Sequence, residues 1–526
     1  MFVRPATLRN LSPDQTLVMV NGKRRHRSAL LAGRTGAQAP DMAVIPSYGI
    51  SRVEVLRDGA AAQYGSDAIA GVVNVILDTD PGFSVYGQYG QYYQGDGEQF
   101  RIGGKAGFEL GDDGYIVVTA EYNNTGRTVR SRQRPDAAAF QLANPNIDVR
   151  NPAQQWGQPE RKSVRIMVNS KIAVDENMNF YAFGTFAGGK GSSDFNWRNP
   201  DTSSAFKLSP TVFPNFNLRT IFPGGFTPQF GQDDRDYSAV VGLEGYITPN
   251  FTYDASIGYG KNQIVYFMSD TFNPSLGPDS PTTFKPGTLE QEEVNFNLDF
   301  VYTLATDAFA DDISIAFGAE RRNETYSVIL GDLASRQIGP GAADGLPATS
   351  NGFSGFNDSQ VGDFSQNNIG LYLDVEVPVT DKWTVGGAIR FEDYSIFGNT
   401  LDVKFSSRYE INDNFAVRAT ASTGFRAPTP AQLFSERIDQ TFDPFNPAQL
   451  DTNGRFSSEG AIADLISQRD GVTISSLDAE ESNNYTLGFV YNADNGFNVT
   501  IDLYQIDIDK RLGTTTNFAL TDAERN

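Results

Sequence analysis

Few residues in this chain have the type and spacing for covalent chemistry. His26 is the only histidine and lies in the basic run Lys23-Arg24-Arg25-His26-Arg27. A Ser-His-Asp arrangement would depend on it, and no nucleophile-elbow spacing accompanies it, which argues against a hydrolase. The carboxylate pairs Asp112-Asp113, Asp233-Asp234 and Asp311-Asp312 offer oxygen ligands of the kind Ca²⁺ takes. Two of the three fall in expected turns, where Asp is favoured for backbone reasons, so solvated turns are the better reading. The absence of cysteine excludes thiol chemistry, disulfides and thiolate-bound metal. The expectation is therefore no enzyme, no catalytic residue, no metal site and no cofactor.

Charge narrows the partners. There are 42 Lys and Arg against 64 Asp and Glu, a formal net charge of -22, which argues against nucleic acid. In that setting the basic run reads as a solvated or carboxylate-paired loop in preference to a nucleic-acid patch. Aromatic residues in polar connecting segments are the best candidates for binding: Trp156, Trp197, Phe222, Phe226, Phe442 and Phe445, with Phe213, Phe216 and Phe230 beside them. They could stack on sugars or aromatic ligands, or pack the segments on one another.

The elements that must carry these residues are mostly strands. From Pro81 onward apolar and polar residues alternate, as in Val294-Asn295-Phe296-Asn297-Leu298-Asp299-Phe300 and Phe497-Asn498-Val499-Thr500-Ile501-Asp502-Leu503. Period two with unlike faces fits a sheet between two media, though a soluble sandwich shows the same alternation. Strands are expected near 83 to 94, 98 to 110, 114 to 126, 161 to 174, 178 to 190, 234 to 247, 251 to 268, 288 to 305, 312 to 330, 364 to 379, 383 to 396, 400 to 411, 415 to 425, 480 to 492 and 497 to 510. Tight turns alternate along the chain with long connections at 127 to 160, 191 to 233, 269 to 287, 331 to 363 and 426 to 479. Long loops on one rim and turns on the other is the asymmetry of an outer-membrane barrel. A mean hydropathy of -0.36 and the lack of a long apolar run exclude helical spanning and leave strand spanning open.

Residues 1 to 80 read differently, as α/β. Thr16-Leu17-Val18-Met19-Val20 runs into Asn21-Gly22, a strong turn signal. The stretch Val53 to Leu77 is an apolar strand, a turn of small residues and a second β-branched strand. Glu54-Val55-Leu56-Arg57, Tyr64-Gly65 and Ala68-Ile69-Ala70-Gly71-Val72-Val73-Asn74-Val75-Ile76 resemble the end of the plug domain of TonB-dependent outer-membrane receptors. The chain departs from the usual pattern at Asp58-Gly59, where most of that family has Gly-Pro, and at Ala70, which replaces a glycine. Gly424-Phe425-Arg426-Ala427-Pro428 and Leu477-Asp478-Ala479-Glu480-Glu481-Ser482 resemble two phrases of its barrel.

The resemblance implies a mainly β protein, a transmembrane antiparallel β-barrel with a small N-terminal α/β plug, divided into 1–80 and 81–526. About 15 of the 22 strands of such a barrel are expected here. The expectation is a fragment, starting inside the plug and stopping before the last strands, that would not insert stably alone. The plug signature residues are Glu54, Arg57, Gly59, Tyr64, Gly65, Gly71 and Asn74. The family buries plug arginines against wall glutamates, so Arg57 is expected to pair with Glu480 or Glu481. The implied function is active uptake of a scarce ligand, a ferric siderophore or other iron complex or an oligosaccharide, across the outer membrane of a Gram-negative bacterium. The implied partners are TonB with its inner-membrane complex, the small-molecule ligand and outer-membrane lipid. A passive porin or adhesin barrel and a secreted carbohydrate-binding β-protein are the rival readings.

Overall fold

The computed structural model describes residues 2–33, 35–111, 114–442 and 450–519, with backbone alone at 438–442 and 450–453. Its leading segment forms a mixed sheet of β1 (Thr16–Val20), β2 (Lys23–Arg24), β3 (Ile50–Leu56) and β4 (Gly71–Leu77), in spatial order β2-β1-β4-β3. The turn between β1 and β2 needs positive φ at two successive residues, and Asn21 (47°) and Gly22 (76°) supply it. Asn74 on β4 holds this turn, accepting the Gly22 N–H at 3.0 Å. Helix is scarcer than α/β suggests: Ala61–Tyr64 is a single α-turn, and Met42–Val44 and Ser47–Gly49 are 3₁₀ turns.

The wall follows in chain order: β5 (Gly82–Gly90), β6 (Gln99–Leu110), β7 (Gly114–Thr125), β8 (Glu160–Asp175), β9 (Met178–Asp194), β10 (Gln229–Thr248), β11 (Phe251–Ser269), β12 (Phe284–Leu304), β13 (Ile313–Leu330), β14 (Gly362–Thr380), β15 (Trp383–Tyr394), β16 (Gly398–Asn412) and β17 (Phe415–Arg426). A hairpin, β18 (Arg437–Phe442) with β19 (Leu450–Arg455), stands apart from the sheet, and β20 (Glu480–Asn492) and β21 (Asn498–Asp509) rejoin it. These fifteen strands form one antiparallel sheet in which each pairs with its neighbour in sequence, β17 passing directly to β20. Every expected strand is present. The expected 234 to 247 extends outward to Gln229–Thr248 because Gln229 to Asp233 continue the ladder with both neighbours.

All the long connections leave one end of this sheet, and turns such as Glu176-Asn177, Pro249-Asn250 and Asp413-Asn414 lie at the other. Side-chain direction separates two media. On β13, Glu320, Arg322 and Glu324 are buried toward the leading sheet, while the intervening residues face out. The outer face carries apolar rows in which Phe300 stacks on Phe251 at 5.6 Å and on Phe317 at 5.3 Å.

The leading sheet sits within the curve of the wall and touches it from β6 to β20. Lys105 pairs with Asp78, Asn21 bonds Asn169 at 3.3 Å, and Gln63 bonds Asp374 at 2.6 Å. Within that sheet Gly71 has φ of 136°, and a Cβ there would collide with the Leu56 carbonyl and approach Leu8 at 3.1 Å. Gly71→Ala is therefore expected to destabilise the leading sheet by about 1–3 kcal/mol. A urea midpoint equal to that of the unmodified protein would overturn this.

Candidate functional site

The basic run is the centre of the molecule. It leaves the short β2 and enters the lumen, where Arg25, His26 and Arg27 are each no more than 5% exposed. A charge that far from water needs a partner. Arg25 pairs with Asp236 and donates to Thr185 Oγ1 at 2.8 Å, and His26 Nε2 donates to Asp236 Oδ2 at 3.0 Å. Lys23 Nζ lies 3.1 Å from both Asp254 and Asp299. Of the two forms left open for this run, carboxylate-paired and solvated, the first is what the protein adopts.

Arg24 and Arg27 enter a closed circuit. Arg24 reaches Asp67 at 3.0 Å and Glu320 at 3.7 Å. Arg390 on β15 joins Glu320 at 2.7 Å and Glu392 at 2.6 Å, and the Tyr394 hydroxyl donates to Glu392 at 2.7 Å. Arg322 donates to Tyr394 at 3.2 Å and lies 3.5 Å from Glu324, which pairs with Arg27, and Arg27 returns to Asp67. Four arginines alternate with four carboxylates, so the circuit is neutral, and the leading sheet supplies three of its members. Burial alone would raise the Asp67 pKa, but Arg27, then Arg24 and Arg322, outweigh it and hold the carboxyl well below the usual range. The Arg27 guanidinium is held above its ordinary value because Asp67 and Glu324 outweigh burial.

The signature glycines serve this interface. A Cβ at Gly59 would stand 2.7 Å from Asn484 on β20 and 2.8 Å from Ser422 on β17. One at Gly65, φ 81°, would crowd Arg390 of the circuit at 2.9 Å. Tyr64 contributes its carbonyl, which accepts from Arg24 at 3.0 Å. Glu54 pairs with exposed Arg52 at 2.7 Å and accepts from Asn74 at 3.3 Å.

The expected pairing of Arg57 with Glu480 or Glu481 is not formed. Arg57 is exposed beyond the end of β3 and makes no ion pair among the described residues. Glu480 is taken by Arg426 at 2.8 Å, with Gln15 donating at 2.7 Å, and Glu481 faces outward to Lys510 at 2.8 Å. The arginine that fills the role is Arg426, on the wall itself, which also holds Asp14 of the leading segment at 3.1 Å.

The loop aromatics divide. Trp197 is buried edge-on to Phe140 at 6.2 Å, its indole N–H donating to the Gly224 carbonyl. Phe222 and Phe226 contact each other at 4.9 Å and pack with Phe206 and Phe272. Trp197 thus belongs to one apolar cluster of the loops and Phe226 to another, with Phe222 partly buried against the second. Trp156 remains half exposed. Phe445, the Phe442 side chain and Asp112-Asp113 lie outside the described residues. Asp234 of the second carboxylate pair is held at 2.6 and 2.7 Å by Arg161, and Asp311-Asp312 lies in an exposed turn.

Above the circuit the interface turns apolar. Ala29 and Leu31 of the leading segment enter a cluster with Ile264, Tyr266, Tyr326, Phe353 and Phe356. Phe353 sits 4.8 Å from Phe230 and 5.4 Å from Tyr266.

Comparison with known proteins accounts for both parts. Residues 3–72 match the model of the TonB-dependent receptor plug domain, and residues 174–524 match that of the TonB-dependent receptor-like β-barrel. The chain belongs to the TonB-dependent receptor family. It is 22% identical over 442 residues to the vitamin B12 transporter BtuB of Photobacterium profundum, covering 82% of this chain and 54% of that one. It is 21% identical over 537 residues to the ferrienterobactin receptor of Escherichia coli K12, covering 96% and 65%. Among solved structures, the siderophore receptor PirA of Acinetobacter baumannii superposes with a TM-score of 0.61 at 17% identity, over 95% of this chain and 64% of that one. A mutant of the ferric enterobactin receptor PfeA of Pseudomonas aeruginosa in complex with enterobactin gives 0.62 at 15%, over 94% and 64%. The chain thus spans between about half and two thirds of the length of these TonB-dependent receptors.

Two outcomes follow for the plug and wall interface. Asp67→Asn leaves Arg24 and Arg27 short of a buried partner and is expected to cost about 3–5 kcal/mol. Because the folded pKa of Asp67 is depressed, its contribution is fully present above the unfolded value near 4 and is lost as pH falls below it. Denaturant midpoints across pH 2 to 7 should therefore converge for the two proteins at the acid end, and a constant gap would refute the assignment. Glu480→Gln should likewise weaken the protein by more than 1 kcal/mol, while Arg57→Gln should change it by less than about 0.5 kcal/mol. The reverse ranking would restore the Arg57 pairing.

Proposed function

We propose that this chain is the plug, residues 1–80, and wall, residues 81–526, of an outer-membrane receptor that takes up a scarce ligand actively. The observation that carries the reading is the neutral ion circuit that fastens the plug within the wall. Breaking two of its buried pairs costs about 6–10 kcal/mol, comparable with the stability of a whole domain. Thermal opening of such a lumen is rare, which favours an energised transporter over a passive porin. The outward apolar rows and the one-sided long loops support a place in the outer membrane of a Gram-negative bacterium, in contact with its lipid, over a secreted carbohydrate-binding protein.

A ferric siderophore or similar iron complex is the favoured ligand, since receptors for ferric enterobactin recur among the relatives; an oligosaccharide is second. The energy would come from TonB and its inner-membrane complex, engaged by strand addition. No residue is assigned a catalytic role.

The reading is tested by uptake of radiolabelled iron supplied as ferric enterobactin and as other siderophores. Cells bearing the receptor should accumulate at least one of them, and deletion of TonB or collapse of the proton gradient should abolish it. Accumulation that survives both treatments would favour the porin, and growth defects confined to complex glycans would move the ligand to oligosaccharides.

A further inference from the structure

One buried carboxylate of the lumen stands outside every ion pair. Glu293 on β12 is 1% exposed and forms no ion pair among the described residues. Directly across the ladders from it are Glu324 on β13, a like charge, and Gly260 on β11. The nearby cations are spent elsewhere, Arg27 and Arg322 on Glu324 and Arg25 on Asp236. Glu293 Oε1 accepts the Arg27 backbone N–H at 2.8 Å and Gln291 Nε2 at 3.4 Å, whereas Oε2 meets no donor. A carboxylate so far from water is costly unless its charge is matched.

Glu293 lines a cavity of about 10 Å³ where plug meets wall. Thr16 and Gln38 of the plug line it too, each no more than 1% exposed, and Thr16 Oγ1 and Gln38 Oε1 likewise have no partner. The Gln38 amide is fixed from its other side. Its Nε2 donates to the Ser28 carbonyl and to Gln291 Oε1, both at 3.0 Å, which leaves the oxygen as the free acceptor. Arg24, Arg25 and Arg27 also border the cavity, with donors engaged by Asp67, by Asp236 and Thr185, and by Asp67 and Glu324. Three unclaimed oxygens from three separate segments, one of them charged, therefore border one small space.

A cavity of that size takes one water or one small ion. A water can bond all three oxygens but leaves the charge of Glu293 unmatched. A proton on Glu293 removes the charge but bonds only one further oxygen. A singly charged metal ion answers both needs. We propose that Glu293, Gln38 and Thr16 bind one dehydrated monovalent metal cation, Na⁺ or K⁺, that bridges plug and wall. The donors are all oxygen, as hard cations require, and one anionic donor matches one positive charge. Thr16 precedes the basic run and Gln38 follows it, so the ion ties both flanks of that run to β12. Because the site is complete only with the plug in place, the ion stabilises the seated plug as its free concentration rises.

The test uses the protein extracted in detergent and melted in NaCl, KCl and choline chloride at equal ionic strength and pH, so that screening is common to all three. NaCl or KCl should raise the melting midpoint above that in choline chloride by about 2 °C or more, and the rise should grow with cation concentration. Glu293→Gln should abolish the rise and melt in choline chloride no lower than the unmodified protein, since it removes a buried charge. Thr16→Val should raise the cation concentration needed for half the effect by about tenfold, and exposed Arg57→Gln should leave the effect intact. Radiolabelled sodium or rubidium, the latter standing for potassium, should be retained by the unmodified protein and not by Glu293→Gln. Equal midpoints in all three salts would leave a water or a proton in the cavity and overturn the site. A cation effect or ion retention that survives Glu293→Gln overturns it as well.

Discussion

Charge cannot be left unmatched inside this wall, and that constraint sets most of what the leading domain does. A buried ion recovers its lost hydration only from close, well-aligned partners. The register between plug and wall is accordingly fixed where Arg24, Arg27 and Asp67 meet Glu320, Arg322, Glu324, Arg390 and Glu392. The glycines of the plug signature belong to the same constraint. Gly59 and Gly65 bring backbone against β20, β17 and β15, and a single added carbon would hold the sheets apart.

The interface mixes two kinds of contact. Ions and amides join plug and wall at both ends, Lys105 with Asp78 and Asn21 with Asn169 toward the turns and Arg426 with Asp14 toward the long loops. Apolar packing does the same, Val75 and Leu77 against Tyr181 and Phe183, and Ala29 and Leu31 among aromatic rings. Directional contacts specify one alignment, whereas apolar packing tolerates sliding. The loops above have a core of their own, with Trp197, Phe226 and Phe272 buried, and Arg198 and Asn351 bonded across at 2.5 Å tie two of them together.

The wall was legible because each of its strands repeats one signal. Alternation set its faces, and polar turns set its ends, so that even β20 could be bounded from Glu480 to Asn492. The β18–β19 hairpin was not, since it is a short ladder inside a long polar connection with no periodic face. The site was half legible. The basic run announced a need for carboxylates, but its partners lie some 200 to 300 residues away, in register with one another only once the sheet is built. A trace exists in retrospect: Glu320, Arg322 and Glu324, and Arg390, Glu392 and Tyr394, place charged or hydroxyl groups at successive every-second positions, on one face of each strand. Arg57 misled because its place in a motif says nothing of the direction its side chain takes past the end of β3.

Around the basic run the sign of charge is lopsided. Lys23, Arg24, Arg25 and Arg27 come from the plug, and Asp236, Asp254, Asp299, Glu293, Glu320 and Glu324 from the wall around them. The plug is therefore the counter-ion of that part of the lumen as well as its obstruction. A pore emptied of it would expose these six carboxylates beside Arg322 and Arg390, a patch that draws in cations.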